Sequence, residues 1–150
     1  MTSTDTQAEL FERLQRLEDR AEIANLYIAY GRFLDDGDAE GYASLFARDA
    51  KLRLGGVMRA DGREAIAEAA GKLLQYLAQS ARKSYHVIAS PDIAIDGDGA
   101  TGECVWVALS GEPGEAPSLS SMGRHRDELV REDGRWRFAS RKGLLDLGKV

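Results

Sequence analysis

The hydrophobic period changes once along this chain, and that change limits the fold more than any other feature. As far as about residue 79, apolar residues recur at helical steps of three and four; from Lys83 onward they alternate as in strands. Thr6-x-x-Glu9 reads as a capping box. Leu10, Leu14, Leu17, Ala21, Ala24 and Ile28 then lay one apolar stripe along a helix. From Ile23 a second face turns apolar or aromatic through Leu26, Tyr27, Tyr30 and Leu34, so the later half of this helix is expected to be buried on two sides. Asp36-Gly37-Asp38 stops it, because glycine accepts the left-handed turn that ends helices. Asp38 caps a short second helix bearing Tyr42, Leu45 and Phe46. A short strand over 49–54, Gly55-Gly56 and another short strand follow. Asp61-x-x-Glu64 signals a third helix with Ile66, Ala70, Leu73, Leu74 and Leu77 on its inner side.

In the second half, Tyr85, Val87 and Ala89 alternate with His86, Ile88 and Ser90. Asp96-Gly97-Asp98-Gly99 is a hairpin turn. A strand over 100–110, a Gly- and Pro-rich loop over 111–117, a long strand through Arg131, a turn at Glu132-Asp133-Gly134 and a last strand to about Lys142 complete the chain. Helices first and hairpin-linked strands after them imply an α+β fold whose antiparallel sheet is covered by helices on one face. The other face is half polar, and is either solvated or covered by a second subunit. A length of 150 residues suits one domain over 1–150.

A net charge of -5, spread along the chain, leaves no basic stripe to neutralise phosphates, so nucleic acid is not an expected partner. The lone cysteine, Cys104, has no internal disulfide partner. The polar amino terminus lacks a signal-peptide pattern, and no apolar run has the length of a membrane span. A cytoplasmic protein with no membrane partner is the expectation.

Several stretches are similar to one known family. Leu17-Glu-Asp-Arg-Ala-Glu-Ile-Ala-Asn-Leu-Tyr27-Ile-Ala-Tyr30-Gly-Arg-Phe-Leu-Asp35-Asp-Gly-Asp38 resembles the opening helix of SnoaL-like proteins, part of the nuclear-transport-factor-2-like superfamily. Phe46-Ala-Arg-Asp49-Ala resembles the end of the second helix there, and Asp96-Gly-Asp-Gly-Ala100 its hairpin. The run from Gly123 through Phe138 resembles its last two strands. The resemblance implies a conical α+β fold, three helices on a curved antiparallel sheet enclosing one pocket, and a homodimer. Tyr30, Asp35 and His86 are similar to an arrangement in scytalone dehydratase, bile-acid dehydratase and hexachlorocyclohexane dehydrochlorinase. It implies an Asp near the end of the first helix pairing with a His that removes a proton from substrate. Two positions depart from those patterns. His125 stands where the wider family usually carries Tyr, and Tyr30 where the dehydrochlorinase has a basic residue.

The residues themselves allow that chemistry. An imidazole exchanges protons near neutral pH, and a base needs a carboxylate to hold its other nitrogen; His86 and Asp35 fill those places. Their alternative roles are a satisfied histidine on a sheet face and a solvated helix-end carboxylate. Asp36 and Asp38 read as solvated turn residues. Tyr27 and Tyr30, three apart on one helix side, are either core aromatics or donors to a substrate oxygen. His125 shares a strand face with Gly123, Asp127 and Leu129; that face points either into the pocket, where His125 binds substrate, or outward. Asp127 is the one suggestion of a second pocket carboxylate. Trp106 and Cys104 share a face and read mainly as packing, with Trp106 also a candidate pocket wall. Arg141 and Lys142, at the end of the last strand, either contact an anionic group at a pocket mouth or, the favoured reading, are surface charge. His86 and His125 lack the paired spacing of a metal site, and no phosphate or dinucleotide loop is present. Taken with that resemblance, the sequence points to a cofactor-independent lyase or isomerase acting on a small hydrophobic molecule; a dehydratase-like reaction and an aromatic, polyketide or steroid-like substrate are what the resemblance implies. His86, Asp35 and Tyr30 are its catalytic candidates, and Tyr27, His125 and Trp106 its binding candidates. A non-catalytic ligand-binding or partner protein of the same fold is the alternative.

Overall fold

The computed structural model describes residues 3–149. Helix α1 (Ser3–Asp36) is one continuous 34-residue helix. It ends where Gly37 takes φ 73°, and the Gly37 and Asp38 N–H groups turn back to the Leu34 and Phe33 carbonyls in a Schellman closure. Thr6 lies inside this helix rather than at its cap. The stripe from Leu10 to Ile28 does not face the core. Leu10, Leu14, Leu17 and Ile28 are exposed, and α1 meets the body of the protein through Asp19, Ile23, Tyr27 and Tyr30. The later half of α1 is therefore buried on one side, the aromatic one, because only that side meets the sheet.

Asp38 Oδ1 accepts the Gly41 N–H at 2.8 Å and starts helix α2 (Ala39–Ser44). Phe46 already belongs to strand β1 (Phe46–Leu54), which hairpins to β2 (Met58–Asp61). Helix α3 (Arg63–Leu77) is capped by Gly62 at φ 90°; Asp61 stays in β2 and pairs with Arg53 at 2.6 Å. Ile66, Ala70 and Leu74 are buried, whereas Leu77 is exposed. Strands β3 (Lys83–Ile88), β4 (Asp92–Asp96), β5 (Gly99–Gly111), β6 (Ser118–Glu132) and β7 (Arg135–Gly148) follow, the last running past the expected end near Lys142.

The seven strands form one sheet in the order β2-β1-β7-β6-β5-β3, with β4 also paired to β5. The sheet is mixed: β1 lies parallel to β7, and the remaining pairs are antiparallel. Register shifts interrupt β5–β6 at Ala108/Leu109 and β6–β7 at Met122/Gly123 and Glu128/Leu129. Extra residues of this kind bend strands and increase twist, which curls the sheet around its helix-covered face. The core on that face joins Tyr27, Tyr30, Tyr42, Phe46, Trp136 and Phe138. No helix among the described residues is long and apolar enough to cross a membrane.

Candidate active site

The last two turns of α1 lie against β3. Gly31 is buried there, and a methyl group at that position would touch the His86 carbonyl oxygen and the Ile88 side chain at 3.4 Å. One turn later, on the same helix face, Asp35 reaches the same strand. Its Oδ1 lies 2.7 Å from His86 Nδ1, and both carboxylate oxygens accept the His86 backbone N–H at 3.1 Å. An ionised carboxylate only accepts, so Nδ1 carries the proton and Nε2 keeps a lone pair for another partner. The dipole at a helix C-terminus disfavours a carboxylate, and these donors offset that cost. The His86 side chain is 27% exposed and that of Asp35 13%, so the pair is partly open to solvent.

Sheet register carries the site inward from His86. His86 pairs with Ala108, and Ala108 with Ser121, a rung of small side chains beside the imidazole. The next rungs set Ile88 by Trp106, Trp106 by Gly123, and Cys104 by His125; Asp127 then pairs with Arg141. The Trp106 ring stacks on His125 at 5.8 Å, and His125 meets the Tyr30 ring edge-on at 5.3 Å. The Arg141 guanidinium lies over Tyr30 at 4.1 Å, and the Tyr42 hydroxyl donates to the Tyr30 hydroxyl at 3.2 Å. Tyr30, Tyr27 and Trp106 thus belong to one buried cluster behind the dyad. The Trp106 Nε1–H, the Tyr27 hydroxyl and Arg141 Nη1 have no hydrogen-bond partner of normal geometry there.

Burial dominates the electrostatics. It lowers the His125 pKa well below its ordinary value, helped by the charge of Arg141 and by His86, so His125 is neutral at neutral pH. Burial raises the phenols of Tyr27, Tyr30 and Tyr42, so all three stay protonated donors. The Cys104 thiol is pushed up to about 11 by burial, which leaves no thiolate for nucleophilic chemistry.

The face carrying His125 points inward, with Gly123, Asp127 and Leu129. Asp36 and Asp38 are exposed, as turn residues should be. Arg141 departs from its sequence reading: it is fully buried and holds Asp127 with two hydrogen bonds, while Lys142 is exposed. The cause is the register shift at Glu128/Leu129, which leaves Ala139 as an extra residue in β7 and reverses the inward parity after Phe138. Tyr42, absent from the sequence candidates, joins the cluster through Tyr30, and only the helix cap at Asp38 hints at its inward aim. A groove of about 460 Å³ crosses the outer sheet face along Thr101, Glu103, Arg126 and Glu128, and one of about 210 Å³ lies between the ends of β6 and β7. Neither is lined by Asp35 or His86.

Residues 15–142 match the family model of a SnoaL-like domain. A nuclear-transport-factor-2-like protein with a cystatin-like fold from Novosphingobium aromaticivorans is 30% identical, with a TM-score of 0.83 over 95% of this chain and 91% of that one. A scytalone dehydratase candidate from the same organism is 23% identical, with a TM-score of 0.73 over 88% of this chain and 87% of that one. LinA is also 23% identical, with a TM-score of 0.77 over 90% of each chain. At that identity the last two share the fold. No curated protein matches the sequence.

Proposed function

The chain belongs to the SnoaL-like domain family, and we propose that it is a cofactor-independent, dehydratase-like lyase or isomerase acting on a small hydrophobic molecule. The observation that carries this reading is the 2.7 Å contact between Asp35 Oδ1 and His86 Nδ1. It fixes the tautomer a general base needs and supplies a carboxylate to stabilise the imidazolium. His86 Nε2 takes a proton from a carbon beside a carbonyl, and the C–H electron pair moves into a new carbon–carbon double bond. In an isomerisation the carbonyl oxygen receives the negative charge, and as the carbonyl re-forms the double bond shifts and His86 returns the proton to a different carbon. In a dehydration a hydroxyl on the next carbon departs, and with the proton it leaves as water.

Tyr30 suits the donor role, because its hydroxyl accepts from Tyr42 and keeps its own proton to give. The Arg141 charge beneath its ring favours negative charge at that oxygen. The Trp106 Nε1–H is a further donor, and neutral His125 stacked on Trp106 forms an aromatic wall suited to a flat apolar substrate.

A panel of β-hydroxy aryl ketones, followed by the ultraviolet absorbance of the conjugated product, tests the reading. Wild-type protein converts at least one member. His86→Ala loses about 10²–10⁴-fold in kcat/KM, and Asp35→Asn loses a comparable factor, with circular dichroism unchanged in both. Turnover that survives His86→Ala would falsify the dyad's role. A second reading, a ligand carrier without catalysis, draws on the absence of Asp35 and His86 from both grooves. Ligand binding with no turnover in wild-type protein selects it.

A further inference from the structure

The inner face of the sheet carries two polar groups that the fold itself does not use. The Trp106 Nε1–H is buried without a hydrogen-bond partner among the described residues. The Ser121 side chain is buried as well, at 5% exposure. Its neighbours Ser118 and Ser120 donate to the Ser110 and Ala108 carbonyls at 3.1 and 2.9 Å. The Ser121 hydroxyl makes no hydrogen bond among the described residues. Buried donors are nearly always paired, and an unpaired one is destabilising, so two on one face mark a place where another molecule completes the bonding.

Sheet register sets both groups across from the dyad. His86 pairs with Ala108 and Ala108 with Ser121, and directly paired residues share a face. At the usual strand spacing Ser121 stands about 10 Å from His86, with only the Ala108 methyl between them. Trp106 pairs with Gly123, which lies two residues beyond Ser121 on the same face of β6. Gly123 lets the indole cross over β6, since a Cβ there would stand 2.9 Å from Trp106 Cζ2, the neighbour of the carbon that bears Nε1. The nitrogen edge of the indole and the Ser121 hydroxyl are therefore both on the β6 side, two strands from the base.

We propose that Trp106 Nε1–H and the Ser121 hydroxyl recognise a second carbonyl on the substrate, one aromatic ring away from the group that His86 attacks. The inference rests on the lyase or isomerase reading of this pocket and adds to it the functional group at the substrate's far end. An indole N–H only donates, so its partner must accept, and a carbonyl oxygen offers two lone pairs to two donors. Both donors are neutral, and the buried Arg141 is already held by Asp127, so an uncharged oxygen suits the site and a carboxylate does not.

The test compares two binding probes, 1,4-diacetylbenzene and 4-ethylacetophenone, which share a ring and a shape and differ by one carbonyl. Trp106 and Trp136 are the two tryptophans, so the proton–nitrogen spectrum holds two indole signals, and Trp106→Phe assigns them. The diketone moves the Trp106 indole proton downfield and binds about tenfold tighter than the monoketone, beyond the twofold its symmetry gives. Ser121→Ala lowers that preference about threefold, and Trp106→Phe removes most of it. Ser121→Ala deletes an oxygen that no group of the protein bonds, so it folds even where Trp106→Phe does not. Neither probe carries a leaving group, so a protein that discriminates between them and converts no substrate overturns the catalytic reading alone. Equal affinity for the two probes, binding of neither, or a preference that Ser121→Ala leaves intact overturns this inference.

Discussion

Arg141 and Asp127 face each other on adjacent strands with both side chains fully buried, Nε on Oδ1 at 2.7 Å and Nη2 on Oδ2 at 2.8 Å. The bidentate fit offsets the cost of desolvating two charges, but Arg141 Nη1 meets no acceptor of normal geometry, so the pair is not an optimal store of stability. Removing one partner strands the other charge in the core. Arg141→Ala or Asp127→Asn is expected to cost about 3–5 kcal/mol in urea unfolding. Replacing both, Asp127→Leu with Arg141→Met, removes both charges and keeps more stability than either single change. If the singles cost no more than the double, the pair is solvated in solution and its burial does not hold.

His125 gives the fold a pH dependence near neutrality. Arg141 from β7, His86 from β3, Cys104 from β5 and Tyr30 from α1 surround it, and burial is the largest cause of its lowered pKa. The unfolded imidazole binds a proton near pH 6.5, while the folded one resists until well below that. In that window the unfolded state holds the extra proton, so stability is fully present above pH 6.5 and falls as the pH drops below it. Melting temperature should decline between pH 7 and pH 5, and His125→Asn should flatten the slope whatever it does to the absolute value. An unchanged slope assigns the decline to other groups.

What the sequence discloses ends where strand parity breaks. Period and turn signals place α1, α3 and the strands after Lys83 without separating β3 from β4, and the pairing of Asp35 with His86 is what the family resemblance implies rather than what the period shows. Three things stay out of reach. The parallel pairing of β1 with β7 joins segments far apart in the chain, with no hairpin to announce it. The extra residue at Ala139 inverts the faces beyond it, so a strict alternation sends Arg141 outward when the bulge sends it in. Along α1, two apolar faces compete for the core in the sequence. Only the tertiary fold chooses the one with Tyr27 and Tyr30 and leaves Leu10, Leu14 and Leu17 outside.

Asp19 ties α1 to the β6–β7 turn, a role that its place in a charged stretch does not disclose. It accepts Arg131 Nη2 at 2.6 Å, Trp136 Nε1 at 3.0 Å and Gln15 Nε2 at 3.1 Å. Burial pushes its pKa up, but the bonds from Arg131, Trp136 and Gln15 together outweigh burial and hold it below 3.8. Its contribution is present above pH 3.8 and is lost as the pH falls through the lower folded value. Asp19→Ala also leaves the buried Trp136 indole N–H unpaired, at about 1–3 kcal/mol. Asp19→Asn keeps an acceptor without the charge, so acid unfolding curves should show a shallower fall below about pH 4 than wild type.

Tyr27 and Gly102 allow a double-mutant cycle whose sign follows from contact distances. The Tyr27 hydroxyl is buried beside Asp127 and packs directly over Gly102. A Cβ added at Gly102 would stand 2.1 Å from that oxygen and 3.2 Å from Tyr27 Cζ. Gly102→Ala therefore forces a rigid, fully buried ring aside, and overpacking of this kind costs about 1–3 kcal/mol. Tyr27→Phe removes the hydroxyl that makes the closest clash, together with its contact to Asp127, so on its own it should change stability by no more than about 1 kcal/mol. Combined with Gly102→Ala, it leaves only the milder contact with the ring carbon. The double variant should then recover most of the stability that Gly102→Ala loses, with a coupling energy of about 1 kcal/mol or more in chemical denaturation. Additive costs would mean that the hydroxyl does not rest on Gly102, and that α1 sits further from β5 than this packing places it.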